Sequence, residues 1–289
     1  MKRVYWILLV SVALGSVRAG EALNVWPEFA PGESTRKTGE LQPFRPNEKP
    51  PVERVINITQ PTFTVHLAKK PNGAGVVILP GGGFGKVVPN KEGTEAAAWL
   101  NRHGFTAFVL SYRTKIDKAD PGWERPLQDA QRLLSLVRAR AGEWQLTKDR
   151  IGLLGFSAGG QVAARLLSSP ERSYARIDGF DRVSFRPDFA MLVYPWNIFD
   201  AKTGGLVAGV SVPKDCPPTF IVHTDDDRSS SLGALLFYTG LKKHGIPSEL
   251  HVYGNGGHGY GLRPVEGSEI SSWPGHAAHW LGRWMEGRR

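Results

Sequence analysis

Residues 153–162 read LLGFSAGGQV, an apolar run that ends on one serine, Ser157, set among Gly155, Ala158, Gly159 and Gly160. The apolar run has the length of a buried strand, and the residues after Ser157 take up a helical period that lasts to Ser168. A serine between strand and helix, with Gly155 and Gly159 two places to either side, matches the turn that lifts a nucleophilic hydroxyl above the carboxyl edge of a sheet. Side chains at the two glycine positions would collide in such a turn. The turn also aims the first free N–H groups of the helix at the serine, where they can meet a developing negative charge. A small-residue packing turn produces the same five residues, so the rest of the chain has to separate the two readings.

Outward from this junction, short apolar runs alternate with helical patterns. GVVILP (75–80), TAFVLSY (106–112), RIGLLGF (150–156), FAMLVYP (189–195), TFIVHT (219–224) and ELHVY (249–253) read as buried, mostly parallel strands. Leu127, Ala130, Leu133, Leu134, Val137 and Ala141 recur at spacings of three and four behind Pro126, which marks an amphipathic helix. Similar patterns run over 93–102, 158–168, 231–243 and 276–284. The expected class is α/β, a mostly parallel central sheet with helices on both faces. Residues 20–65 are rich in proline and charge and lack a sustained period, so they are expected to wrap the surface of a domain spanning 66–289. The segment 196–218 after FAMLVYP is polar and contains glycines, too small for a large lid domain and suited to an open site.

Composition narrows the class of function. The chain has 289 residues, 41% hydrophobic and 22% charged, enough for a globular protein to bury one large core or two small ones, with one catalytic-sized domain as the default. Its single cysteine, Cys216, excludes an intramolecular disulfide framework and a thiolate metal cluster. The net charge of +9 is spread along the chain without a basic run or an interleaved aromatic stripe, which argues against a nucleic-acid partner. Residues 1–19, MKRVYWILLVSVALGSVRA, combine Lys2 and Arg3 with an apolar stretch and small residues at Val17 and Ala19, the layout of a secretory signal cleaved after Ala19. The apolar stretch is shorter than the roughly 20 residues that span a bilayer, so a secreted or periplasmic product without stable membrane insertion is expected. Oligomeric state is not legible.

Three further features bear on chemistry. Gly81, Gly82 and Gly83 follow the first core strand, where a loop can present backbone N–H groups to an oxyanion. The same loop ends in Gly85-Lys86, as a phosphate-binding loop does, but Pro80 replaces its first glycine and Val87 its magnesium-binding hydroxyl. A serine hydroxyl also needs a base, and the base an acid. Asp225-Asp226-Asp227 follows the strand TFIVHT, and His258 lies in the glycine loop after ELHVY, in the chain order Ser, Asp, His of the α/β-hydrolase triad. Of the other histidines, His103, His244 and His251 read as surface or strand residues and His223 as a strand residue. His276 and His279 share a helix without a third metal ligand. Trp196 reads either as a sugar-stacking platform or as packing beside a core strand.

From LNVWPEFAPGE through VVILPGGGFG, RIGLLGFSAGGQVA and PPTFIVHTDDD to ELHVYGNGGHGYGL, the chain resembles bacterial α/β-hydrolase esterases of the acetylxylan esterase and xylanase-associated, feruloyl-type group. The resemblance implies an α/β-hydrolase fold with Ser157 as nucleophile, His258 as base and Asp227 as acid. It implies an oxyanion hole from the N–H groups of Ala158, Gly82 and Gly83, and an acylated carbohydrate or small ester as substrate. Phe84 and Trp196 are candidate substrate contacts, and no metal or organic cofactor is needed. Two departures stand out: Asp226-Asp227-Arg228-Ser229-Ser230 where many relatives have Asp-Asp-Pro-x-Val, and Pro80 where many have histidine before the glycines. Members of the group are often labelled xylanases, yet no motif supplies the carboxylate pair of a glycosidase. The alternatives are a serine peptidase of the prolyl-oligopeptidase type, a general carboxylesterase or lipase, and a non-catalytic hydrolase-like binding protein.

Overall fold

The computed structural model describes residues 20–287, and the signal read at 1–19 lies outside them. In chain order the strands are β1 (Ala22–Asn24), β2 (Glu40–Leu41), β3 (Val55–Ile56), β4 (Thr62–His66), β5 (Gly75–Leu79), β6 (Thr106–Ser111), β7 (Ile151–Phe156), β8 (Phe189–Val193), β9 (Phe199–Asp200), β10 (Gly205–Leu206), β11 (Thr219–Thr224) and β12 (Ser248–Tyr253). The α-helices are α1 (Glu95–Arg102), α2 (Glu124–Ala139), α3 (Ser157–Ser168), α4 (Leu232–Lys243) and α5 (Trp273–Glu286).

Eight strands form one sheet in the order β1-β4-β6-β5-β7-β8-β11-β12. The six from β6 to β12 are parallel, and β1 and β4 add an antiparallel edge. Successive side chains on a strand point to opposite faces, so continuous apolar runs can feed two cores at once. Val77, Leu79, Leu153 and Leu192 pack with α2, α3 and α4, while Val76, Ile78, Leu154 and Met191 pack with α1 and α5.

Three expectations need correction. ELHVY was expected to be buried, but β12 is the sheet edge, half-buried with Val252 exposed, because no strand lies beyond it. The last helix starts three residues earlier than its periodicity indicates, because Pro274 suits a first turn that needs no N–H donors. Residues 20–65, expected to lack regular structure, contain β1, β2, β3 and most of β4. These strands are two to five residues long, too short to show a period, and they draw their pairing from partners distant in sequence.

The segment is also anchored in the interior. Trp26 is fully buried, and its indole N–H donates to Asp129 at 2.8 Å. The same carboxylate accepts from the Arg113 backbone N–H and guanidinium, and Arg113 reaches the Pro31 carbonyl at 2.6 Å. A buried ion pair of this kind is tolerated because its hydrogen bonds are met on both sides.

Candidate active site

At the carboxyl edge of the sheet, Ser157 is the first residue of α3 and has φ +52°, a left-handed conformation that a non-glycine residue adopts only under constraint. The constraint comes from its neighbours. A Cβ on Gly155 would stand 2.5 Å from the Gly159 carbonyl oxygen, and one on Gly159 would stand 2.1 Å from the Leu79 carbonyl oxygen. Both obstacles are backbone and have nowhere to move.

Ser157 Oγ lies 2.7 Å from His258 Nε2, and His258 Nδ1 lies 2.6 Å from Asp227 Oδ2. With the imidazole hydrogen on Nδ1, Nε2 is free to accept the serine proton. Asp227 accepts further hydrogen bonds from the Ser229 N–H at 2.8 Å and from His223 Nε2 at 3.0 Å. Burial alone would push this carboxyl up. The hydrogen bonds from His223, His258 and Ser229 outweigh it and hold Asp227 well below the usual carboxylate range.

The three consecutive aspartates do three different things. Among the described residues, the Asp225 side chain meets the Ser231 hydroxyl alone, at 3.5 Å. Asp226 is exposed and accepts from the N–H groups of Gly256 (3.1 Å) and Gly257 (2.8 Å), which shapes the turn that carries His258. Asp227 alone meets the imidazole. His223, which sequence reasoning set aside as a strand residue, is the second imidazole on the Asp227 carboxylate; its spacing of four from Asp227 across a strand end was the available signal.

The His258 ring sits between two aromatic rings, Tyr194 at 5.0 Å and Trp196 at 4.9 Å between centroids, both edge-on. The Trp196 backbone N–H donates to the Ser157 carbonyl at 2.9 Å, so this residue braces both partners.

The glycine loop is fixed by a residue that no motif announces. Glu92 is buried and accepts from the Gly81 N–H at 2.6 Å and from the Tyr194 hydroxyl at 2.8 Å, and Tyr194 in turn accepts from the Gly261 N–H at 2.9 Å. Burial raises the Glu92 carboxyl above its ordinary value despite these donors. Gly81 therefore has no N–H to spare. Gly82 and Gly83, with φ +138° and +64°, border the same cavity as Ser157, and among the described residues no hydrogen bond engages their N–H groups. A Cβ on Gly82 would lie 2.1 Å from the Lys86 carbonyl oxygen, so that close approach requires glycine. Ala158 is fully buried, and its N–H belongs to the first turn of α3, which has no intrahelical acceptor.

The cavity holds about 590 Å³ and is bordered by Gly82, Gly83, Ser157, Trp196 and His258. It is also lined by Arg45, Glu48, Val52 and Arg54, from the segment expected only to wrap the surface. Val55 and Val87 exchange backbone hydrogen bonds at 2.9 and 2.8 Å, which ties that segment to the glycine loop. Phe84, expected as a substrate contact, does not border the cavity. Its backbone is left-handed (φ +64°), its carbonyl is held by the Lys115 N–H, and its ring is buried in the core. Among the described residues, no group of three or more His, Cys, Asp or Glu side chains is placed to hold a metal. Nor is any described helix long and apolar enough to cross a membrane.

The BD-FAE family model matches residues 64–179. An acetylxylan esterase of Xylanibacter ruminicola is 27% identical over 222 residues, 68% of this chain and 43% of that protein. An endo-1,4-beta-xylanase B of Butyrivibrio fibrisolvens is 29% identical over 227 residues, 69% of this chain and 34% of that protein. The chain thus spans less than half the length of these relatives. Among solved structures, an acetyl ester-xyloside bifunctional hydrolase of Caldicellulosiruptor lactoaceticus superposes with a TM-score of 0.72 at 29% identity, covering 93% of this chain and 98% of that one.

Proposed function

We infer that this acetylxylan-esterase-like α/β hydrolase is an exported serine esterase that removes short acyl groups, acetyl above all, from carbohydrate. The observation that carries the reading is the hydrogen-bonded line Ser157–His258–Asp227 at the mouth of an open cavity beside two unengaged loop N–H groups. In the reaction, His258 Nε2 takes the proton as Ser157 Oγ attacks the ester carbonyl. The N–H groups of Ala158, Gly82 and Gly83 receive the oxyanion. Collapse of the tetrahedral intermediate passes that proton to the leaving alkoxide and leaves an acyl-serine. Water, deprotonated by the same imidazole, then releases the acid. Asp227, kept ionised, balances the imidazolium in both halves.

Two cavity carboxylates, Glu48 and Glu92, bear on a glycosidase alternative, and both are occupied: Glu48 by arginines, Glu92 by Gly81 and Tyr194. Neither is left to protonate a glycosidic oxygen or activate water. The polar rim of the cavity supports a carbohydrate over a fatty tail.

The test is acetate release from acetylated xylan by purified protein beside its Ser157→Ala variant. Turnover should fall on the order of 10³-fold or more in the variant. Mass spectrometry after treatment with an organophosphonate should place the adduct on Ser157, and an adduct on another serine would overturn the assignment.

A further inference from the structure

Five cationic side chains border the cavity that holds Ser157 and His258: Arg45, Arg54, Lys86, Lys91 and Arg228. They come from three separate segments, the N-terminal wall, the glycine loop with the turn after it, and the acid loop. Two carboxylates, Glu48 and Glu92, line the cavity with them, and Glu95 acts on Lys91 from outside the lining. Glu48 is held by Arg54 through contacts of 2.5 and 2.8 Å and by Arg45 at 3.6 Å. Glu92 is held by Gly81 and Tyr194. Among the described residues, Lys86, Lys91 and Arg228 make no ion pair. The guanidinium of Arg228 instead lies over the Trp196 ring at 4.9 Å, and that ring is edge-on to His258. One cation is thus docked next to the reacting centre.

Half-buried ammonium groups outside any ion pair are unusual, because hydration is given up for a weak electrostatic return. Burial pushes both Lys86 and Lys91 below the ordinary lysine value; Arg54, Arg45 and Lys115 push Lys86 further down, whereas Glu92, Glu95 and Glu48 partly offset the shift at Lys91. Around Lys86 the wall is therefore under mutual repulsion. A neutral sugar ester relieves none of it, whereas a substrate with its own negative charge supplies what is missing.

We propose that the substrate is an acyl ester on a saccharide carrying fixed negative charge, a uronate carboxylate or a sulfate, that seats against Lys86, Lys91 and Arg228 while the ester carbonyl faces Ser157. The proposal rests on the esterase reading above. The bond broken is the acyl–oxygen bond of the ester, water supplies the hydroxyl of the released acid and the proton of the freed alcohol, and the anionic group is untouched.

The experiment compares acetate release from acetylated oligogalacturonate with release from its carboxyl-reduced, re-acetylated counterpart, and from acetylated xylo-oligosaccharide with and without sulfate. 4-Nitrophenyl acetate is run in parallel. On the charged member of at least one pair, kcat/KM should exceed that on the neutral member by on the order of tenfold or more. The advantage should shrink toward unity in about 0.5 M NaCl and in the Lys86→Gln/Arg228→Gln double variant. The pair that shows the advantage identifies carboxylate or sulfate as the source. Equal kcat/KM within both pairs, or an advantage indifferent to salt and to the double variant, overturns the proposal. Failure to cleave any of these substrates, 4-nitrophenyl acetate included, overturns the esterase reading instead. In that event the proposal is read from binding of the deacetylated charged and neutral oligosaccharides to Ser157→Ala protein, where equal affinity sinks it.

Discussion

One oxygen of Asp227, Oδ2, lies within hydrogen-bond reach of two imidazoles, His258 Nδ1 at 2.6 Å and His223 Nε2 at 3.0 Å. His223 is fully buried, and among the described residues its Nδ1 has no partner, so its one hydrogen bond goes from Nε2 to Asp227. A second donor keeps the carboxylate ionised and fixes the oxygen that His258 must meet.

His223→Phe should therefore reduce kcat by about tenfold, the scale of one hydrogen bond to a charged group, with KM nearly unchanged. His223→Gln, which retains a donor, should recover part of the loss. The pH response has a definite sign. Asp227 is depressed in the folded state, so its contribution to stability is complete above the unfolded carboxylate value and is lost as pH falls through the folded one. Without His223 the folded value rises, and acid unfolding should begin at higher pH. Urea midpoints measured from pH 3 to pH 7 would show it; coincident curves for variant and wild type would remove His223 from the network.

The division of labour among the aspartates predicts an order. Asp227→Asn should lower kcat by roughly 10³- to 10⁴-fold, since the amide disfavours the required imidazole tautomer. Asp226→Asn keeps one acceptor for Gly256 and Gly257 and should lose less than about tenfold. Asp225→Asn should stay close to wild type. Steady-state rates of the three variants decide it, and a larger loss in Asp226→Asn would mean that the acid has been misassigned.

Glu92→Gln tests the hold on the glycine loop. One end of the amide can still accept, but the other presents N–H to a group that also needs an acceptor, so either Gly81 or Tyr194 loses its partner. Expected is a fall in kcat of about 10- to 100-fold, corresponding to one buried donor left unmet, with a smaller change in KM. A variant that raises KM alone would show that Glu92 touches substrate and leaves the oxyanion loop unaffected.

Backbone strain at Ser157 yields a stability prediction opposite in sign to its effect on activity. Glycine accommodates φ +52° without the Cβ penalty, so Ser157→Gly should abolish turnover yet raise stability by about 1 kcal/mol, or roughly 2–4 °C in Tm. Gly159→Ala should behave in the reverse way, with little folded protein recovered, because its Cβ would lie 2.1 Å from the Leu79 carbonyl oxygen. Thermal unfolding by calorimetry distinguishes these outcomes.

Acyl-chain preference follows from the open, polar cavity. Each methylene buried in an apolar trough contributes about 0.8 kcal/mol, so a lipase gains steadily with chain length. Here kcat/KM on aryl esters should peak at acetate to butyrate and decline by decanoate. A maximum at octanoate or beyond would favour the lipase alternative.

Most of the sheet was legible because parallel strands buried on both faces must be continuously apolar, as GVVIL, IGLLGF and FAMLV are. The Ser157 turn was legible because backbone crowding there admits only glycine at 155 and 159. His258 could be singled out by chain order and by its glycine loop. Glu92 and Tyr194 could not: a glutamate at the start of a helix and a tyrosine at the end of a strand are ordinary, and only their meeting across 102 residues makes them a clamp. Phe84 was misjudged for the same reason, since its backbone hand, invisible in the residue type, turns the ring inward.

Local sterics and periodic burial are properties of neighbouring residues, so the α/β class, the strained serine turn and the chain order Ser157, Asp227, His258 can be read from the residues alone. Which aspartate reaches the imidazole, which histidine supports it, and the gathering of cations from three segments around the cavity of Ser157 depend on the folded arrangement. Hydrogen bonds act over about 3 Å between atoms, and these partners lie far apart along the chain until the sheet and the N-terminal segment bring them together.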